Sequence, residues 1–132
     1  MRRFKTKIEG MNKRRPSWRC KACDMWFMQK TKECVRCDSK ELDYFSSQAE
    51  AKRYNELALL QRCGEISQLE MQPVFEIKID DIHITNYRAD FSYIEDDEEV
   101  IEDVKGAQTE VFRLKKRMVE AAYGVKIRVI KA

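Results

Sequence analysis

Glycine, proline and histidine are scarce in this chain, at 4, 2 and 1 of 132 residues. The glycines stand singly at turn positions, so no glycine-rich loop is available to cradle a phosphate on backbone amides. One histidine, His83 in a polar connection, leaves no multi-histidine metal site. With no serine-nucleophile pattern either, it gives no support to triad chemistry. No apolar stretch approaches the ~20 residues that span a bilayer. The opening MRRFKTKIEG lacks a signal-peptide core. The expectation is a soluble intracellular protein with no membrane partner.

Charge is abundant. Lys, Arg, Asp and Glu make up 37% of the residues, yet the net is only +3. The balance is uneven: residues 1–40 hold 13 Lys/Arg against 4 Asp/Glu, and residues 41–132 hold 13 against 19. A basic leader on an acidic body points to a polyanionic partner for the first part and cation binding in the second.

Five cysteines argue against a disulfide framework. Four fall in two C-x-x-C pairs, Cys20/Cys23 and Cys34/Cys37, with ten residues between them. Each pair can offer two thiolates from a tight knuckle, and two knuckles complete a tetrahedral four-sulfur Zn²⁺ site. Asp24 and Asp38, just after the pairs, tolerate the turn conformations that knuckles need. Four sulfur ligands leave no position for water, so this zinc would be structural. Cys63, at the end of a helical run, reads as a buried small apolar residue. Residues 1–16 read as a basic arm, 17–41 as the zinc-ribbon module and 42–132 as the main domain. Residues 17–40 are too few to bury a core, so metal must supply folding energy. Trp26 reads as part of the module's small core, and Trp18 is open to a role in nucleic-acid contact.

Residues 46–63 read as a helix closed by Gly64, with Ser47 to Glu50 fitting a capping box. Glu50 also lies between Tyr54 and Leu57 on the helical wheel, in the middle of the apolar face, where a carboxylate is costly without a partner. Strands are expected over Val74–Ile79, Tyr87–Ile94, Val100–Lys105 and Val125–Ile130. A second helix is expected from about Thr109 to Tyr123, with an apolar stripe of Val111, Leu114, Met118 and Ala122. The result is an α/β chain, a mixed sheet flanked by helices in the order α-β-β-β-α-β.

The acidic turn Glu95–Glu99 makes the runs on either side of it antiparallel neighbours, bringing Asp90 beside Asp103. Strand alternation puts Asp103 and Lys105 on one face and Glu102 on the other. Converging carboxylates hold a hard cation such as Mg²⁺, and a nearby ammonium orients a phosphate or a water. The alternative for this triplet is a solvated surface hairpin.

Glu50, Asp90 and Asp103-x-Lys105, in this element order over residues 46–130, resemble the PD-(D/E)XK nucleases. The likeness is to the small phage members related to Holliday-junction resolvases, with the four-cysteine module as an addition. Ala89, not proline, precedes Asp90, and Glu102 adjoins the third acid. The resemblance implies a restriction-endonuclease-like core and a homodimeric endodeoxyribonuclease of DNA recombination, in the cytoplasm of a host bacterium if phage-encoded. It implies Mg²⁺ or Mn²⁺ on Glu50, Asp90 and Asp103. Lys105 would position the water or phosphate, and Gln108 would be a polar helper. The substrate would be branched DNA, with phosphates met by Arg14, Arg15, Arg19, Lys21, Arg113, Lys116 and Arg117. A nicking or flap endonuclease with the same site, and a non-catalytic zinc-ribbon DNA-binding adaptor, are the other readings.

Overall fold

The structure, a computed structural model, describes residues 16–132. Arg14 and Arg15, with nearly all of the expected basic arm, lie outside the described residues. The chain divides into two compact units, Met1–Lys52 and Arg53–Ala132, with the division falling inside a helix.

In the first unit, Ser17–Cys20 (β1), Trp26–Phe27 (β2) and Leu42–Phe45 (β3) form an antiparallel sheet in the order β2-β1-β3. So small a sheet has little apolar area, and aromatic rings supply most of it. Trp26 stacks on buried Phe45 with ring centroids 5.3 Å apart, while Trp18 lies against exposed Tyr44. The helix α1, Gln48–Arg62, starts where expected. Ser47 Oγ accepts from the Glu50 amide at 3.2 Å, which satisfies one of the free N–H groups of the first turn. Gly64, with φ of 80°, follows its end. Cys63 is exposed, contrary to expectation, because it falls past the last packed turn.

The second unit holds Ser67–Met71 (β4), Val74–Ile79 (β5), Ile82–Arg88 (β6), Phe91–Glu95 (β7), Glu98–Lys105 (β8), the helix Glu110–Tyr123 (α2) and Ile127–Lys131 (β9). The main sheet is mixed, in the order β4-β7-β8-β9, with only β8 and β9 parallel. Strands β5 and β6 pair separately. Asp80-Asp81 and Asp96-Asp97 form the two tight turns, all four residues with positive φ. Asp tolerates that conformation, which type I′ two-residue hairpins require at both central positions.

The expected single strand Tyr87–Ile94 is two strands, and three expected strands between the helices are five. The ribbon bends where Gln72-Pro73 meets Ala89-Asp90. The Ala89 amide donates to the Pro73 carbonyl at 3.0 Å, and the Gln72 amide to the Asp90 carbonyl at 2.8 Å. Pro73 has no N–H for a ladder, and Gln72 has φ of 53°, so the strand turns a corner there. Ala89 is fully buried at the bend, where a larger side chain would crowd the packing.

Helix α2 is capped by Thr109, whose hydroxyl accepts from the Phe112 amide, and by Gly124 in the left-handed conformation. Its buried face differs from the expected stripe. Phe112 and Val119 join Ile77, Tyr87, Ala89, Ile101 and Ile127 in the core, and of the expected stripe Met118 packs against them while Val111, Leu114 and Ala122 are exposed. Phe112 and Leu114 are about 160° apart around the helix, so one face cannot bury both. The larger ring takes the core. Among the described residues, no helix is long and apolar enough to cross a membrane.

Candidate functional site

The four cysteines come together. Tight knuckles form as the Asp24 amide donates to the Cys20 carbonyl at 2.9 Å and the Asp38 amide to the Cys34 carbonyl at 2.8 Å. Asp24 and Asp38 take the left-handed conformation that closes each turn, with φ of 65° and 60°. The sulfur atoms of Cys20, Cys23, Cys34 and Cys37 all lie within 4.8 Å of one another. Pairs Cys20–Cys37 and Cys23–Cys34 are 3.6 and 3.5 Å apart. The Cys20 thiol is held down to about 6, chiefly by the Cys23 amide and against the effect of burial. This set can bind a metal such as zinc. Among the described residues it is the one group of three or more His, Cys, Asp or Glu side chains so clustered.

In the second unit, Glu102 and Asp103 are consecutive residues of β8, both buried. Glu102 takes a two-pronged ion pair from Arg53, Nε to Oε1 at 2.8 Å and Nη2 to Oε2 at 2.7 Å. The Tyr93 hydroxyl donates to the same carboxylate and in turn accepts from Arg128 at 3.1 Å. Glu102 holds the Arg53 guanidinium well above its ordinary value. This carboxylate is fully engaged.

Asp103 is not. Its Oδ2 accepts a hydrogen bond from the Tyr87 hydroxyl. Its Oδ1 is buried without a hydrogen-bond partner, and the Lys105 ammonium stands 3.2 Å away as a counter-charge. The alternation expected of the strand therefore holds for Asp103 and Lys105. Lys105 also rests on the Phe112 ring, 4.9 Å from its centroid.

Asp90 stands at the ribbon corner, one residue beyond the Phe91–Glu102 pair and so level with Asp103. Its amide donates to the Glu102 carbonyl at 3.1 Å, and its Oδ2 accepts from the Val104 amide at 2.7 Å. The main chain of β8 thus fixes both ends of this residue. Burial pushes the Tyr87 phenol well above its ordinary range, and the hydrogen bond to Asp103 and the charges of Asp103 and Asp90 add to that.

Glu50 belongs to the first unit. It is 8% exposed, and its carboxylate accepts from the Ser46 hydroxyl. Gln108 is exposed on the segment between β8 and α2.

Residues 31–132 match the family described as "Protein of unknown function (DUF1064)". The chain belongs to this family. The DUF1064 match takes in Asp90, Asp103, Lys105 and the second knuckle, and leaves Cys20 and Cys23 outside. No curated protein and no solved structure matches the chain.

Of the basic residues, Arg19 is committed within the cysteine module, bonding both Asp24 and buried Asp43. Lys21 lies 3.6 Å from Asp43. Lys116 pairs with Glu120 at 3.1 Å, while Arg113 and Arg117 are exposed on α2. Sequence reasoning missed Arg53 and Arg128 as partners of the Glu102 side and Tyr87 as the partner of Asp103. A glutamate inside an apolar strand run was a signal for the first. For Tyr87 there was none, because alternation across residues 87–94 assumed a straight strand.

Proposed function

We propose that this chain is a PD-(D/E)XK-type nuclease that hydrolyses phosphodiester bonds in DNA with Mg²⁺ or Mn²⁺. The observation that carries the reading is the buried Asp103 Oδ1, left without a hydrogen bond beside the Lys105 ammonium. The ion pair leaves this buried oxygen short of a hydrogen bond, so it can take a metal cation as a further partner. Asp90, held level with Asp103 by the β8 main chain, supplies the second carboxylate. The α1, β7–β8, α2, β9 order supports a restriction-endonuclease-like core, with the β5–β6 ribbon as an elaboration.

When bound, the cation would lower the pKa of an attacking water and offset phosphate charge. Lys105, with 34% of its side chain exposed, reaches out from Asp103 to orient that water or a phosphate oxygen. Gln108 stands at the solvent edge as a hydrogen-bonding helper. The cysteine module would hold structural Zn²⁺. Exposed Arg113 and Arg117 are the best-placed of the described phosphate contacts, with Lys116 beside them and Arg14 and Arg15 in the basic leader. Arg19 and Lys21 are drawn to Asp43, so they serve the module first. We propose branched DNA as substrate and a homodimer as the working form, because paired cuts suit a two-fold assembly. An intracellular location accords with this chemistry.

The test offers four-way junction, flap and linear duplex DNA to the purified chain, with Mg²⁺ and with EDTA. Mg²⁺-dependent strand cleavage, greatest on the junction, is expected. Flap preference would keep the site and change the substrate. Binding with no cleavage of any substrate would favour the zinc-ribbon adaptor.

A further inference from the structure

Tyr87 is not among the groups that the proposed chemistry uses, yet it makes the most constrained contact in the site. The residue is 4% exposed. It lies between Phe75 and Phe112, each with a centroid distance of 6.3 Å, so it has little freedom to swing away. Its hydroxyl donates to Asp103 Oδ2. The other oxygen, Oδ1, faces Lys105 at 3.2 Å. Lys105 in turn lies on the ring of Phe112, the same ring that supports Tyr87. One aromatic pair therefore fixes what each oxygen of Asp103 meets.

We infer that Tyr87 sets cation selectivity by reserving Oδ2 and leaving Asp103 a one-oxygen ligand. This rests on the proposed cation site. Mg²⁺ and Mn²⁺ sites of octahedral oxygen ligands take carboxylates through single oxygens, at about 2.0–2.1 Å for Mg²⁺. Ca²⁺ binds at about 2.3–2.6 Å, with 6–8 ligands, and readily uses both oxygens of one carboxylate. The Tyr87 hydrogen bond takes one of the Oδ2 lone pairs and so disfavours the two-oxygen mode that suits the larger ion. Tyr87 is thus a positioning residue that acts through Asp103.

The experiment measures Mn²⁺ and Ca²⁺ affinity calorimetrically on the full chain, for the wild type, Tyr87→Phe and Asp103→Asn. Thermal melts verify folding. Tyr87→Phe frees Oδ2 with almost no change of shape. The ratio of Ca²⁺ to Mn²⁺ affinity is expected to rise on the order of tenfold, about 1.4 kcal/mol. An unchanged ratio in a folded variant overturns the inference, leaving the cation site standing and Tyr87 a core residue. Cation binding absent from the wild type, or undiminished in Asp103→Asn, overturns the site itself and the inference with it. Should Tyr87→Phe fail to fold, the wild type decides alone. Infrared difference spectra of ¹³C-aspartate-labelled protein with Ca²⁺, referenced to Asp103→Asn, should show the wide carboxylate splitting of one-oxygen binding. The narrow two-oxygen splitting would overturn the inference.

Discussion

Burying two adjacent carboxylates in one strand is costly, and β8 offsets the two costs differently. Glu102 is satisfied within the protein by Arg53 and Tyr93, whereas Asp103 retains one oxygen with a counter-charge and no hydrogen bond. The first arrangement reads as structure and the second as a site held open. Glu102→Gln should therefore cost about 3 kcal/mol of unfolding free energy, near the low end for breaking a buried pair because Arg53 keeps some solvent. Urea denaturation measures this, and a loss under about 0.5 kcal/mol would mean that the pair contributes little net stability. Which acid faces Lys105 was legible in the sequence, since strand alternation is rigid. That Tyr87 would meet Asp103 was not, because it depends on a corner between Arg88 and Phe91.

At the scale of elements, the knuckles followed most directly from local chemistry. Asp24 and Asp38 take the left-handed conformation for which their side chains fit them, and the four sulfur atoms converge. Zinc analysis of purified protein should give about one ion per chain. Cys34→Ala should lower that and loosen the module, because so small a sheet would draw folding energy from a bound metal. Folded, metal-free wild type would refute it. The helices were legible in extent, through Ser47, Thr109, Gly64 and Gly124. The phase of α2 was not. Of its 111/114/118 stripe only Met118 packs against the core, which otherwise selects Phe112 and Val119. The ribbon corner escaped notice for a related reason. Pro73 alone marks a strand edge, and only its pairing with Ala89 across the ribbon turns that edge into a bend.

For the whole molecule, charge divides into a basic leader, which carries four clustered cysteines able to bind a metal, and an acidic body. An acidic body repels DNA unless its carboxylates are neutralised, and the proposed cation does that where cleavage would occur. In the proposed function, exposed Arg113 and Arg117 and the basic leader would then carry the contact. Binding should fall steeply with salt, whereas the proposed cleavage should depend on Asp103. The most direct measurement is the single-turnover cleavage rate of a labelled four-way junction in Mg²⁺ by the wild type and Asp103→Asn, with junction affinity measured on the same preparations. The expected result is a rate lower on the order of 100-fold or more with affinity within a few-fold. Equal rates in the two proteins, or a wild type that binds the junction and never cuts it, would contradict it.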